Sequence, residues 1–90
     1  MSSLIEFNNA VKIVNNLGQN ILNDNEKLGL YGLFKQAEYG DNNNNSKPSG
    51  LFNLKEKAKW DAWNYRKGMS QEEARFSYIK AVNFIVKSRT

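Results

Sequence analysis

The sequence predicts an all-α protein built as a four-helix bundle. Apolar residues recur at steps of three and four in separate segments, which is the pattern of amphipathic helices. Capping residues or glycines mark the ends of these segments, and no segment shows the alternation of a β-strand. The chain has 90 residues, 40% of them hydrophobic, so we expect one domain spanning residues 1–90.

The first two helices are expected before residue 40. The first ends near Gly18, and the second opens at Asn23 with Glu26 at the third position, the pattern of a capping box. The second helix ends by Gly40. Their predicted core stripes are Phe7, Ala10, Val11, Val14 and Leu17 in the first helix, and Leu30, Leu33, Phe34 and Ala37 in the second.

Two glycines interrupt the second helix. Gly29 and Gly32 each cost roughly 1 kcal/mol of helix stability relative to alanine. Their presence indicates that a ligand or another helix approaches the backbone closely.

Residues 41–50, DNNNNSKPSG, are predicted to form a loop. Polar residues without periodicity bury too little surface to offset their ordering entropy. We therefore expect the run Asn42–Asn45 to be mobile and dispensable.

The last two helices follow this loop. The third starts after Asn53 and stops at Gly68, and the fourth is capped by Ser70 and Glu73. The fourth carries the core stripe Tyr78, Ile79, Val82, Ile85 and Val86. In the third, the sequence KAKWDAWNYRKG places two tryptophans among four cationic residues, and we expect the tryptophans to pack inward while the lysines stay open.

Composition argues against an enzyme. Without histidine or cysteine there is no Ser-His-Asp triad, no thiol nucleophile and no ordinary zinc site, so no metal is expected. Helix capping is a sufficient role for the glutamates at 6, 26, 56 and 73. There is also no apolar run near the roughly 20 residues of a membrane span and no secretory signal, so we expect a cytoplasmic protein.

The charge is uneven along the chain. Residues 1–45 carry three basic and five acidic side chains, whereas residues 46–90 carry ten basic and four acidic ones. A one-sided positive field suits an anionic partner: a nucleic acid, a phospholipid surface or a phosphorylated small molecule. A solvated lysine-rich surface with no partner remains open at this point.

Lysines lie beside aromatic or small apolar residues on two helices. Lys55 and Lys59 share one side of the third helix, next to Ala58. On the second helix, Tyr31 and Lys35 are i,i+4 neighbours. Ammonium groups bind phosphate and aromatic faces stack on bases, so a phosphorylated nucleotide would use both.

Two long segments identify a family resemblance. LYGLFKQAEYGD, residues 30–41, and KEKAKWDAWNYRKGMSQEEARFSYI, residues 55–79, closely resemble the acyl-CoA-binding protein family. The resemblance covers nearly the whole chain. It implies a four-helix bundle of up-down-down-up topology that binds long-chain fatty acyl-CoA with high affinity, needs no cofactor, and carries and buffers the acyl-CoA pool.

The resemblance also implies the binding residues. Tyr31, Lys35 and Lys59 match residues that hold the 3′-phosphate, and Phe34 matches a tyrosine that stacks on adenine. Lys55 lies at the edge of the site, and Tyr78 lines the pantetheine and acyl region. Leu28, which lies beside Lys35 on the second helix, is predicted to contribute apolar surface.

Two departures from the family pattern bear on affinity. Phe34 keeps the stacking ring but lacks the hydroxyl of the usual tyrosine. Asn15 stands where the family has a phosphate-binding lysine, and nearby Lys12 is a candidate substitute. The loop before Lys55 is about two residues longer than the usual pattern.

Two other functions stay open on composition alone. The basic C-terminal half with interleaved aromatics allows a nucleic-acid-binding module, although its basic residues form no continuous stripe. A membrane-surface protein is the third candidate, but it leaves the separate narrow core stripes unexplained. The resemblance favours a monomer that binds fatty acyl-CoA, binds no nucleic acid and meets acyl-CoA-using enzymes or membranes transiently.

Overall fold

The computed structural model describes residues 2–17, 21–43 and 53–89. They contain four α-helices: α1 Ser2–Asn16, α2 Asp24–Tyr39, α3 Leu54–Asn64 and α4 Gln71–Arg89. Within these ranges there is no β-strand, and none of the four helices combines the length and hydrophobicity needed to cross a bilayer.

The predicted caps set the start of α2 and α4. Asn23 accepts a hydrogen bond from the Glu26 backbone at 2.8 Å, and Glu26 accepts one from the Asn23 backbone at 3.0 Å. Ser70 and Glu73 exchange the same two bonds, both 3.0 Å long, before α4. Helix α3 ends at Asn64, earlier than predicted, and a turn follows to Gly68.

The helices pack in the spatial order α1, α4, α2, α3. Helix α4 contacts both α1 and α2, whereas α3 contacts α2 alone among the described helices. The rings of Phe7, Phe34 and Tyr78 meet where α1, α2 and α4 approach one another, with Phe7 and Tyr78 edge to face at 5.1 Å. The buried apolar core consists of Phe7, Ala10, Leu22, Leu30, Leu33, Ala37, Ala74, Tyr78, Val82 and Ile85.

Helix α3 contributes no buried residue, so the expectation that its tryptophans pack into the core is wrong. Trp60 and Trp63 are half-buried. The indole N–H of Trp63 donates to the Gly40 carbonyl at 2.9 Å, which ties α3 to the end of α2. Trp63 therefore serves the α2–α3 contact, and neither ring belongs to the central core.

Only one of the two glycines in α2 lies at a close approach. A Cβ at Gly32 would lie 2.3 Å from the carbonyl oxygen of Ala62, so α2 and α3 cross there backbone to backbone. A Cβ at Gly29 would meet no atom within 4 Å. The expectation of a close neighbour is confirmed for Gly32 and wrong for Gly29.

A polar cluster joins the end of α2 to the turn before α4. The buried Gln36 amide donates to the Asp41 carboxylate at 2.8 Å and to the Met69 carbonyl at 2.7 Å. The Gly68 N–H donates to the same Asp41 oxygen at 2.9 Å. These bonds hold the pKa of Asp41 below its usual range, the Gly68 N–H having the largest effect. Gln36, Asp41 and Gly68 thus have a structural role within the two family segments, residues 30–41 and 55–79.

The asparagine run begins inside the fold. Asn42 is only 2% exposed, so the expectation that it is mobile is wrong. Asn43 is exposed, while Asn44 and Asn45 lie outside the described residues. Asn42 directly follows Asp41, whose carboxylate is bound by Gln36 and Gly68.

An ion pair links the start of α2 to the end of α4. Both terminal guanidinium nitrogens of Arg89 donate to the Glu26 carboxylate, at 2.7 and 2.5 Å. One of them also donates to the Ile21 carbonyl at 3.0 Å. The pair lowers the pKa of Glu26 to about 2, chiefly through the Arg89 hydrogen bond and next through the Asn23 N–H.

Candidate ligand-binding site

A basic cavity lies between α2 and α3. Its volume is about 640 Å³. Three lysines, Lys27, Lys55 and Lys59, line it, with Asp24 the one acidic side chain among the lining residues that the structure describes. Leu28, Tyr31 and Ala58 complete that lining. The net positive charge and the aromatic ring suit a phosphorylated ligand with a planar group.

An apolar cavity of about 290 Å³ adjoins the basic one. Its wall is made by α1, α2 and α4 and consists mainly of hydrophobic side chains. The lining residues are Val11, Val14, Asn15, Leu22, Lys27, Leu30, Tyr31, Phe34 and Tyr78. A surface of this kind favours a hydrocarbon chain, because apolar area leaves water on binding.

The two cavities share Tyr31 and Lys27. Six of the seven predicted site residues line one or both of them. Leu28, Lys55 and Lys59 lie in the basic cavity, Phe34 and Tyr78 in the apolar cavity, and Tyr31 in both. Tyr31 of α2 and Lys55 of α3, which are 24 positions apart in the sequence, thus line the same cavity, as the resemblance implies.

Lys35 is the exception, since it is not among the described residues that line either cavity. Its ammonium nitrogen lies 4.8 Å from the centre of the Tyr39 ring and 5.6 Å from that of Trp63. It is also 5.7 Å from the Tyr31 ring. Three aromatic faces therefore hold the Lys35 ammonium by cation–π attraction, and one of them, Tyr31, lines both cavities.

The tyrosines of the site remain neutral hydroxyls near neutral pH. Burial, and secondarily the charge of Glu56, raises the pKa of Tyr31. Burial raises the pKa of Tyr78 to about 12. Both phenols therefore keep their protons and can donate hydrogen bonds to a ligand oxygen.

Sequence reasoning missed Lys27. It lies one turn before Tyr31, so the i,i+4 step that joins Tyr31 to Lys35 also places Lys27 on this face. The spacing was sufficient to find it. Asn15 lines the apolar cavity, while Lys12 is exposed and is not among the described lining residues. Lys27, and not Lys12, is the additional cation that the structure places at the site.

The fold and the paired cavities define a class: a small helical protein that binds a ligand with an anionic part and an apolar part. The described residues contain no group of three or more acidic, histidine or cysteine side chains placed to hold a metal ion.

Comparisons with known proteins agree with this class. Residues 5–82 match the model of the family described as acyl CoA binding protein. An acyl-CoA-binding protein homolog of Drosophila melanogaster is 49% identical over 81 residues, 90% of this chain and 91% of that protein. A homolog from Manduca sexta is 43% identical over 88 residues, 98% of this chain and 96% of its own. The crystal structure of Oryza sativa acyl-CoA-binding protein 2 superimposes with a TM-score of 0.86 at 37% identity, covering 96% of this chain and 92% of that chain.

The chain belongs to the acyl-CoA-binding protein family. The predicted fold class, an all-α four-helix bundle of the family type, is confirmed. Family membership also confirms the prediction of a binding and carrier protein for acyl-CoA that is not an enzyme and uses no cofactor.

Proposed function

We propose that this protein binds one molecule of long-chain fatty acyl-CoA in the two adjoining cavities and carries it between sites of synthesis and use. The observation that supports this ligand is the junction at Tyr31 and Lys27, where a basic cavity of about 640 Å³ meets an apolar one of about 290 Å³. A ligand that fills both must carry phosphates and a hydrocarbon chain in one molecule.

In this proposal the coenzyme A head group occupies the basic cavity. Its phosphates lie against Lys55 and Lys59, and the hydroxyl of Tyr31 donates to one of them. Lys35 reaches the 3′-phosphate from its position beside the rings of Tyr31, Tyr39 and Trp63. Each charge-assisted contact contributes about 1.5–3 kcal/mol to binding.

The acyl chain occupies the apolar cavity in this proposal. Each buried methylene contributes up to about 0.8 kcal/mol, so a chain of about 14 methylenes offers on the order of 11 kcal/mol before ordering costs. Phe34 lines the apolar cavity, and Tyr78 and Leu28 cover the pantetheine and acyl parts. Coenzyme A lacks the apolar contribution and a free fatty acid lacks the phosphates.

The setting of this activity is part of the proposal. The protein acts as a cytoplasmic monomer, as one domain over residues 1–90, and meets acyl-CoA-using enzymes and membranes transiently. It carries its ligand and releases it unchanged.

One titration series tests the ligand. Calorimetry with palmitoyl-CoA, coenzyme A, palmitate and a short oligonucleotide should give one-to-one binding of palmitoyl-CoA, far tighter than binding of any other. Equal affinity for coenzyme A and palmitoyl-CoA would show that the apolar cavity holds no acyl chain. Tight binding of the oligonucleotide would instead support the nucleic-acid-binding alternative.

A further inference from the structure

The outer face of α4 carries large apolar side chains that the bundle leaves uncovered. Phe76 and Phe84 both belong to α4 and are 48% and 69% exposed. Lys80 and Lys87 are exposed on the same helix. At about 100° per residue, these four residues lie within an arc of about 80° and extend over roughly 16 Å. We call Phe76, Lys80, Phe84 and Lys87 the α4 face.

The charge along α4 beyond its first turn has one sign. Residues 75–89 contain four basic and no acidic side chains. The acidic residues of α4, Glu72 and Glu73, stand in its first turn, and the Glu73 carboxylate accepts a hydrogen bond from the Ser70 N–H. Arg89 is already paired with Glu26. Lys80 and Lys87 therefore point an unbalanced positive charge outward beside the two phenylalanines.

A groove beside the α4 face extends its aromatic and cationic character. Phe84 lines this groove, of about 230 Å³, together with Leu33, Ile85 and Arg66. Glu26 also lines it, with its carboxylate paired to Arg89. The Arg66 guanidinium lies 5.3 Å from the centre of the Tyr65 ring, and Tyr65 is exposed. Aromatic rings with interleaved lysine and arginine are the residues that settle at the interface between lipid head groups and acyl chains.

We propose that the α4 face is a docking surface for anionic phospholipid bilayers. The phenylalanines enter the interfacial region, and the lysines lie along the negative head groups. A second copy of this chain fits the face poorly, because a symmetric pairing would oppose the lysines of the two copies. A duplex phosphate backbone would neutralise the lysines and leave the phenylalanines in water.

The position of the α4 face sets the orientation of the docked protein. Tyr78, which lines the apolar cavity, lies about 160° around α4 from the middle of the face. The apolar cavity therefore lies on the side of α4 opposite the bilayer while the protein is docked. Two phenylalanines and two lysines make a small anchor, so docking is weak and reversible, as a carrier requires. The inference does not depend on which ligand fills the cavities.

Vesicle co-sedimentation tests the proposal with the ligand-free full chain. Phosphatidylcholine vesicles that contain phosphatidylserine should sediment the protein, and pure phosphatidylcholine vesicles should not. Phe76→Ser/Phe84→Ser should lower the partition coefficient about tenfold. Lys80→Glu/Lys87→Glu should lower it about twentyfold or more, since each cation near an anionic surface contributes roughly fivefold.

The chain offers a matched control on α1. Ile5 and Ile13 are 65% and 40% exposed and have the same i,i+8 spacing as the two phenylalanines. Ile5→Ser/Ile13→Ser should bind vesicles within about twofold of the parent. Circular dichroism and melting temperature establish that each variant is folded, and the lysine variant changes only surface groups.

The proposal is overturned if the parent does not sediment with anionic vesicles, or if the α4 variants sediment as the parent does. Self-association that these substitutions abolish, without vesicle binding by the parent, would assign the face to a second copy and overturn it too. A palmitoyl-CoA titration without vesicles should be unchanged in every variant. Failure of that titration in the parent would contradict the proposed ligand and not the docking surface.

Discussion

Tyr31 is the residue at which the two cavities and two cations meet. Its ring lines both cavities, and the ammonium nitrogens of Lys59 and Lys35 lie 5.6 and 5.7 Å from its centre. The electron-rich ring partly offsets the repulsion between two nearby lysines in the ligand-free protein. The Lys35 and Lys59 side chains are therefore already close together before a phosphate binds, which lowers the entropic cost of ordering them on binding.

Replacement of one cation should separate binding from folding at this site. Lys59→Ala should weaken palmitoyl-CoA binding by about 1.5–3 kcal/mol, the range for a lost charge-assisted hydrogen bond. Its melting temperature should stay the same or rise, because a repulsive neighbour of Lys35 is removed. Calorimetry and thermal unfolding measure the two effects on one sample.

Lys12→Ala is the control for this variant, because Lys12 is exposed on α1 and is not among the described lining residues. Its affinity should match that of the parent. If Lys59→Ala unfolds early yet binds normally once folded, Lys59 is a structural residue and the phosphate assignment is wrong.

Short-range spacing explains how much of the site the sequence could predict. The i,i+4 steps in α2 and α3 put Tyr31, Lys55 and Lys59 on the sides of their helices that line the basic cavity, and the same step could have found Lys27. The direction of the Lys35 side chain could not be predicted. It depends on the rings of Tyr39 and Trp63, and Trp63 reaches Lys35 only through the crossing of α2 and α3.

At the scale of elements, the α2–α3 crossing holds the basic cavity together. Gly32 allows the two backbones to touch at Ala62, and Trp63 binds the Gly40 carbonyl beyond it. Helix α3 carries Lys55 and Lys59 yet buries none of its own residues. The positions of Lys55 and Lys59 thus depend on the packing of α3 against α2.

Gly32→Ala should therefore damage both stability and binding. The new Cβ would lie 2.3 Å from the Ala62 carbonyl oxygen, so α3 must move away from α2. We expect a loss of about 1–3 kcal/mol in the free energy of unfolding, typical of overpacking, and weaker palmitoyl-CoA binding. Denaturant unfolding and calorimetry give the two values.

Gly29→Ala is the matched control, three residues earlier in the same helix. Its Cβ would meet no atom within 4 Å, so the gain in helix propensity should stabilise the protein by up to about 1 kcal/mol. Equal effects of the two substitutions would mean that the backbone contact at Gly32 does not position α3.

Local signals predicted where helices begin, whereas they did not predict which distant residues the side chains contact. The capping residues Asn23 and Ser70 begin α2 and α4 as predicted, because capping bonds involve residues only three positions apart. Sequence periodicity did not predict the burial of Gln36 or Asn42, since polar side chains go inside only where distant partners satisfy them. For Gln36, one such partner is the Met69 carbonyl, 33 residues away.

At the scale of the whole molecule, the pair Glu26–Arg89 joins the start of α2 to the end of the chain's last helix. The folded pKa of Glu26 is about 2, against an ordinary value of 4.5. A depressed carboxyl pKa adds stability above the unfolded value, and this stability is lost as the pH falls through the folded value. The relevant window therefore runs from about pH 4.5 down to about pH 2.

Glu26→Gln should reveal this window. Above about pH 4.5 the variant should be less stable than the parent, and the difference should shrink as the pH falls toward about 2. Urea unfolding at a series of pH values measures it. Because Arg89 is the partner, Arg89→Gln should give a similar profile, and the double variant should add little to either. A difference that does not change with pH would show that the ion pair does not form in solution.

Because α3 buries none of its own residues and contacts only α2 among the described helices, its free energy of local opening should be small. Amide hydrogens of α3 should therefore exchange with deuterium sooner than those of α4, whose Tyr78, Val82 and Ile85 lie in the core. Palmitoyl-CoA bound between α2 and α3 would supply the packing that the chain itself does not. Deuterium exchange in α3 should then slow far more than exchange in α4 when palmitoyl-CoA is added. Ligand binding would thus stabilise the helix that forms one side of the binding site.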